Sequence, residues 1–286
     1  MEYIKSPLNY TGGKFKLLPQ LLELFPKDIN TFVDLFGGGG NVAVNVEAKH
    51  IIYNDVMWHI PEMLAEFKSC GATECLRRID NYTERYNLTQ DNQEGFLKLR
   101  KLYNSAHPMD PVMLYTLICY SYNSQIRFNS KLEYNSSFGK DRSSFNPALR
   151  EKFIAFVNRL QEIDIEFFST DFRRLGILDV LGNGDFVYCD PPYSITCATY
   201  NDGKRGFDGW TEEDDKKLFE VLDTLNGAGV KFALSNMLEC KGKSNDALKA
   251  WAVKYNIRHL DSSYGNCSYR KKDKTSKDME ILITNY

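Results

Sequence analysis

Asp190-Pro191-Pro192-Tyr193 is the run of this sequence with the most definite chemistry. Two prolines stiffen the backbone and remove two N–H donors, which leaves the carbonyls of the turn free to accept. With the Asp190 carboxylate beside them, the corner is rich in acceptors. An amine attached to a planar ring has two hydrogens to give, and its nitrogen is a poor nucleophile because the lone pair is delocalised into the ring. Asp190 and the Pro191 carbonyl are suited to take both hydrogens and direct the lone pair at an electrophile, a catalysis of positioning and polarisation. Tyr193 adds a ring on which an unstacked base can rest. The plain alternative is that the proline pair only ends a strand before a turn.

A second run is Asp34-Leu35-Phe36-Gly37-Gly38-Gly39-Gly40, followed by a compact helix candidate over Val42 to Lys49. Glycines at such a turn let backbone approach a ligand closely, and a helix N-terminus offers unpaired N–H groups. Gly38-x-Gly40-x-x-Ala43 formally matches a dinucleotide fingerprint, with Asp55 placed to accept hydrogen bonds from ribose hydroxyls. By itself the loop fits NAD, FAD or S-adenosylmethionine, and a plain glycine turn is the bland reading. A third block, Tyr10-Thr11-Gly12-Gly13-Lys14, precedes an amphipathic segment Leu17 to Phe25. A glycine pair before a lysine suits a ligand carboxylate, although taken by itself a loop and helix start is the better reading.

These runs need a scaffold that brings them to one edge. Thr31 to Phe36 and Ile51 to Asn54 read as strands on either side of the helix candidate, a β-α-β unit with parallel strands. From Pro61 to Tyr122 the apolar spacing turns helical, with Leu64 and Phe67, then Phe96, Leu99 and Leu102, then Met113, Leu117 and Tyr120. Residues 123–147 are polar, rich in Asn and Ser and punctuated by aromatics and cations, which predicts a loop or β-hairpin. After a helix from Pro147 to Leu160, strands are expected at Ile165 to Phe168, Asp185 to Cys189, Val230 to Leu234, Ile257 to Leu260 and Met279 to Thr284. Helices are expected at Thr211 to Asn226, opened by a Thr-x-x-Asp cap, and near Asp246 to Lys254. The fold class is α/β, a Rossmann-like, doubly wound, mostly parallel sheet. Residues 1–56 and 161–286 form the sheet domain, and 57–160 form a helical insertion with a hairpin near 123–146.

The 286 residues are 43% hydrophobic and 26% charged, enough for a sizeable core. No apolar stretch spans a bilayer and the first ten residues lack a signal-peptide layout, which predicts a cytoplasmic protein. The seven cysteines include no Cys-x-x-Cys pair and are read as reduced thiols, with no metal site expected. A net charge of −2 does not announce a nucleic-acid binder, so any such contact has to be local. Between Ser121 and Leu160, Arg127, Lys131, Lys140, Arg142, Arg150, Lys152 and Arg159 outnumber Glu133, Asp141 and Glu151. A second basic run is Arg270, Lys271, Lys272, Lys274 and Lys277. The bland reading of both is a solvated face.

In the order Tyr10 to Lys14, Asp34 to Gly40, Asp55, helical insertion, Asp190 to Tyr193, the chain resembles the Dam-type DNA adenine methyltransferases over nearly its whole length. The resemblance extends to Tyr122 to Lys140 in the target-recognition region, to Asp171-Phe172 and to Leu234-Ser235-Asn236. It implies an S-adenosylmethionine-dependent methyltransferase fold acting on a flipped adenine in double-stranded DNA, with GATC the family's usual target. It further implies that Tyr10, Lys14, Asp34, Phe36, Asp55 and Phe172 line the cofactor pocket and that Asp171 lies near the cofactor adenine. Gly37 to Gly40 would bind the cofactor and Asp190 would face it.

Residues 123–142 are the expected reader, with Arg127, Asn129, Tyr134, Lys140 and Arg142 as DNA contacts, since Arg suits guanine, Asn suits adenine and Lys anchors phosphates. The family places its guanine-reading cation within two positions of Phe138-Gly139; here Lys140 stands first, Asp141 second and Arg142 third. Either Lys140 or Arg142 takes the role. The protein is expected as a monomer or weak dimer on DNA, associated with the nucleoid. The rivals are a methyltransferase for another planar amine, such as an RNA base, a free base or glutamine, an NAD-dependent oxidoreductase that leaves the Asp-Pro-Pro-Tyr corner idle, and a noncatalytic DNA-binding module.

Overall fold

A computed structural model describes residues 2–196, 210–240, 242–261 and 280–286. Arg270 to Lys277, Cys197, Cys267 and Met279 lie outside the described residues. After α1 (Leu18–Leu24) the chain lays down β1 (Thr31–Asp34) and β2 (His50–Asn54), then the helices α2 (His59–Arg85), α3 (Gln93–Ser105), α4 (Pro111–Tyr120) and α5 (Pro147–Glu162). The sheet resumes with β3 (Ile165–Phe168) and β4 (Phe186–Cys189), and α6 (Glu212–Gly227) leads to β5 (Lys231–Met237). A small hairpin of β6 (Glu239–Cys240) and β7 (Lys243–Ser244) precedes α7 (Asp246–Ala252), β8 (Asn256–Leu260) and β9 (Glu280–Thr284).

Seven strands form one sheet in the order β3-β2-β1-β4-β5-β9-β8. The first five are parallel, and β9 runs antiparallel to both β5 and β8. The expected mostly parallel α/β sheet is therefore present. Its two faces separate by the period-2 alternation of a strand. Phe32, Ile51, Tyr53, Phe186 and Tyr188 belong to one buried cluster, together with Leu18, Phe67, Phe153 and Leu160 from α1, α2 and α5. Val33, Ile52, Val187, Cys189, Phe232 and Leu234 belong to the other, with Leu218 and Leu222 of α6 and Leu248 of α7. Apolar residues on both faces are what a sheet covered on both sides requires.

One expected element does not form. Val42 to Lys49 is a series of turns rather than a helix. Val44 N donates to Gly40 O and Val46 N to Val42 O, but the side chains of Asn41 and Asn45 divert the segment. Asn45 Nδ2 donates to Asn41 O (2.8 Å) and Ile4 O (2.7 Å), and its Oδ1 accepts from Ile4 N (2.8 Å). Asn41 Oδ1 accepts from Ser6 N at 3.0 Å. Asparagines that bond to nearby backbone compete with helix, and three β-branched valines lower its propensity further. The turn serves instead as a dock for the N-terminal strand of chain that delivers Tyr10 and Lys14.

The other elements match expectation closely. The cap at Thr211 is a full capping box: Thr211 Oγ1 accepts from Asp214 N (3.3 Å) and Thr211 N donates to the Asp214 carboxylate (3.0 Å). Between β2 and β3 the chain contributes α2, α3, α4 and α5, and their buried side chains are continuous with those of one sheet face. Residues 121–146 carry only isolated bridges, Ser121 with Phe138 and Phe128 with Tyr134, so the expected hairpin is reduced to a largely irregular loop. Among the described residues no helix is long and apolar enough to cross a membrane.

Candidate active site

β1, β2 and β4 are adjacent and parallel, so their carboxyl ends open on one edge, and each ends in an acid or leads directly into one: Asp34, Asp55 and Asp190. That edge is where open α/β sheets bind ligands. A cavity of about 160 Å³ lies there, lined among others by Tyr10, Lys14, Asp34, Phe36, Gly37, Gly38, Gly39, Asp55, Asp190 and Pro192.

The glycine loop is shaped by its neighbours. A Cβ on Gly37 would sit 2.1 Å from the Tyr53 ring, and Gly38 has φ +50° with the Tyr10 ring close by, so side chains are excluded on two sides. The Tyr53 hydroxyl donates to Gly38 O at 2.5 Å, and Gly38 N donates to Asp55 Oδ2 at 2.9 Å. Asp55 Oδ1 accepts from Met57 N at 2.9 Å, and the Tyr10 hydroxyl also bonds to this carboxyl. The N–H groups expected to point at a ligand are thus partly committed to Asp55. Asn54 Nδ2 donates to Leu35 O and Thr170 O, tying the loop to the segment that follows β3.

Three acids share this small volume, Asp34 and Asp55 buried and Asp190 half-buried. Burial, with Asp190 and Asp55 nearby, pushes the Asp34 carboxyl up to about 8, and its Oδ2 is buried with no hydrogen-bond partner among the described residues. Asp55 is also pushed up, by burial first, against the lowering pull of its backbone donors. Asp190 is raised by burial, and the Lys14 ammonium pulls it back down. Lys14 Nζ lies 2.8 Å from Asp190 Oδ1, donates to Gly12 O at 3.1 Å, and is 3.3 Å from Glu280 Oε1. The Tyr193 hydroxyl is 3.1 Å from both Asp190 Oδ1 and Glu280 Oε1.

Not every expected residue reaches the cavity. Gly40 (φ +76°) turns toward Phe156 and Leu64 in the core. Pro191 and Tyr193 are buried beside the cavity rather than in its wall. Phe172 packs one layer back, its ring 5.5 Å from both Phe36 and Trp210, and Asp171 is paired with Arg173. Trp210 does line the cavity, edge-on to Phe36 at 5.4 Å. Its Nε1 donates to Asp215 Oδ1 (2.7 Å), while Ser194 Oγ donates to Asp215 Oδ2 (2.6 Å). Asp215, Trp210, Tyr53 and Glu280 were not singled out from the sequence. A usable signal existed for Asp215, an acid at i of the apolar stripe Leu218, Phe219, Leu222 on α6. For Glu280 it was an acid opening a fully buried strand.

In the expected reader, Tyr134 is 1% exposed and its hydroxyl donates to Gln125 O at 3.0 Å, so its ring is core of the loop and not available to a base. Asn129 holds a turn, with Oδ1 accepting from Lys131 N and Glu133 N and Nδ2 donating to Glu133 Oε2. Arg127 has a buried Nε without a partner among the described residues. Lys140 and Arg142 are exposed, Arg142 lying 5.1 Å over the ring of exposed Tyr122. Arg150 and Arg159 are engaged within the protein, with Asp80 and with Val44 O respectively. His59 is stacked between Trp58 and Phe128, each ring at 3.7 Å, and its burial lowers it to about 4, which keeps it neutral under the loop.

A family model for D12 class N6 adenine-specific DNA methyltransferases matches residues 10–265, which takes in the glycine loop, the insertion and the Asp-Pro-Pro-Tyr corner. The chain belongs to this family. Relatives of this chain include the Type II methyltransferase M.FokI of Planomicrobium okeanokoites, 48% identical over 285 residues, which cover 100% of this chain and 43% of that protein. Modification methylase StsI of Streptococcus sanguinis is 46% identical over 288 residues, with 100% and 43% covered. A DNA adenine methylase of Escherichia coli is 26% identical over 244 residues, covering 82% of each chain. The chain spans less than half the length of the first two relatives.

Proposed function

We propose that this chain transfers a methyl group from S-adenosylmethionine to the exocyclic N6 amine of an adenine rotated out of duplex DNA. One observation carries the reading: in a D12 class chain, the acceptor corner at Asp190 and the wall of Gly37, Gly38 and Gly39 line the same cavity. When bound, S-adenosylmethionine supplies a methyl group on a positively charged sulfur. The residues suit it. The unpartnered buried Oδ2 of Asp34 fits the ammonium of the methionine part, because a cation there would relieve a carboxylate that burial disfavours. Asp55 fits ribose hydroxyls, and Phe36 with Trp210 offers an aromatic wall for the adenine ring.

Asp190, in the cavity wall, and the carbonyl of Pro191, on the turn beside it, accept the hydrogens of the target amine and orient its lone pair. Residues 57–160 form the recognition module, acting as a monomer or weak dimer on the duplex. Arg127, Lys140 and Arg142 contact the DNA, while Tyr134 and Asn129 shape the loop that presents them. The GATC target belongs to the same proposal and stands on the Dam-type resemblance alone.

The test is labelled-methyl transfer to duplex DNA with calorimetry of cofactor binding. Asp190→Ala should abolish transfer while S-adenosylmethionine affinity stays within about threefold, since its role is reserved for the reacting amine. Equal loss of both would sink the division of roles, and binding of NAD in place of S-adenosylmethionine would favour the oxidoreductase. Sequencing of modified bases in treated DNA reads the target: N6-methyladenine outside GATC replaces that target and leaves the reaction standing.

A further inference from the structure

Glu280 opens β9, the strand inserted antiparallel between β5 and β8, and no part of it is exposed. Its Oε1 is 3.3 Å from Lys14 Nζ and 3.1 Å from the Tyr193 hydroxyl. The same ammonium and the same hydroxyl also meet Asp190 Oδ1, at 2.8 and 3.1 Å. The buried Glu280 and the half-buried Asp190 therefore compete for one lysine and for one hydroxyl hydrogen. Both contacts on Asp190 use Oδ1, so Oδ2 is the oxygen left for a substrate amine.

We propose that Glu280 is a positioning residue of the transfer site: by drawing on Lys14 and Tyr193 it prevents them from fully neutralising Asp190, which keeps that carboxylate a strong acceptor for the target amine. The proposal rests on the methyltransferase reading above. Among the described residues, Lys14, Asp190 and Glu280 together carry a net negative charge, and that surplus favours a hydrogen-bond donor from the substrate. Without Glu280, Asp190 loses a carboxylate competitor for the Lys14 ammonium, and a more fully neutralised acceptor polarises an amine less. Among the described residues, the charged and titratable groups that face Asp190 are Lys14 from the N-terminal block, Glu280 from β9, Tyr193 from its own turn, Asp34 from β1, and Tyr188 and Cys189 from β4. Glu280 raises the Asp190 carboxyl and Lys14 lowers it.

The experiment is single-turnover methyl transfer to duplex DNA across a pH series, using the full chain. Glu280→Gln should lower the plateau rate about tenfold or more, a loss of roughly 1.4 kcal/mol of transition-state stabilisation, while S-adenosylmethionine affinity stays within about twofold. The acid limb, where Asp190 becomes protonated, should move to lower pH, because a neighbouring negative charge has gone. Lys14→Met should move the limb the other way, and the double variant should lie between the two. A Glu280→Gln limb that coincides with the wild-type limb, or an unchanged plateau, overturns the proposal; a purely structural role lowers the active fraction without moving the limb. Glu280→Asp keeps the charge and should retain the wild-type limb. A wild-type chain that transfers no methyl group refutes the underlying reading instead, and the grip of Glu280 is then read from NMR titration of the Asp190 carboxyl carbon in the protein alone. Glu280→Gln should lower that midpoint, and an unmoved midpoint overturns the proposal.

Discussion

Asp34 shows how much one side chain can be held in an unfavourable state by its place in a fold. A carboxyl raised to about 8 is protonated at neutral pH, so in the protein alone it gives stability that is complete below the unfolded value near 3.8 and lost as pH rises through about 8. An arriving ammonium reverses the preference and ionises the group. S-adenosylmethionine binding near pH 7 should therefore release close to one proton, measured by calorimetry in buffers of different ionisation enthalpy. Asp34→Asn should remove that release and weaken binding about tenfold or more. Proton release of the same size in Asp34→Asn would show that another group is responsible.

At the scale of elements, α6 does more than cover a sheet face. Asp215, in its first turn, is fully buried and holds Trp210, which lines the cavity, and Ser194, which directly follows the Asp-Pro-Pro-Tyr corner. The raising of its carboxyl by burial is countered by these two donors, Ser194 first. Asp215→Ala should remove the carboxylate that accepts from the Trp210 indole and the Ser194 hydroxyl, costing about 1 to 3 kcal/mol. It should also free the indole, so that Trp fluorescence shifts to the red and S-adenosylmethionine binding weakens. Unchanged fluorescence with unchanged affinity would mean that the packing of Trp210 against Phe36 and Phe172 suffices by itself. The turn segment after β1 carries a related lesson. Its expected helix is absent because the protein uses Asn41 and Asn45 to fasten the segment before Tyr10, and local propensity gave way to that dock.

Across the whole molecule, the net charge of −2 makes DNA binding a matter of where a few cations stand. Only some of the basic excess in 121–160 is free to act, since Arg150 and Arg159 are engaged internally while Lys140 and Arg142 are exposed. Lys140 and Arg142 are separable by salt. A phosphate contact removed by substitution should weaken binding to all sequences alike and reduce the slope of log K against log salt by about 0.9. A base reader removed should relax discrimination at one position by about 1 to 3 kcal/mol. We expect Lys140→Ala to behave in the first way and Arg142→Ala in the second, because a guanidinium held against the Tyr122 ring is better oriented for paired acceptors than a mobile ammonium. Affinity measured by fluorescence anisotropy across salt concentrations, with target and altered duplexes, decides it; the reverse pattern would exchange the roles.

What the sequence determined by itself is everything that depends on near neighbours. Strand alternation, the Thr211 cap, the helical spacing of the insertion, the glycine loop and the Asp-Pro-Pro-Tyr corner are written in runs of a few residues, where local sterics and hydrogen bonding decide. Tertiary structure alone decided which of these share a cavity, because the strand order places the ends of β1, β2 and β4 side by side. It brought Glu280 to Lys14 across almost the whole chain, seated Trp210 on Asp215, turned Gly40 and Phe172 away from the cavity wall, and buried Tyr134 within the loop it was expected to present. Each of those outcomes depends on packing between residues distant in sequence, for which periodicity and motif spacing carry no information.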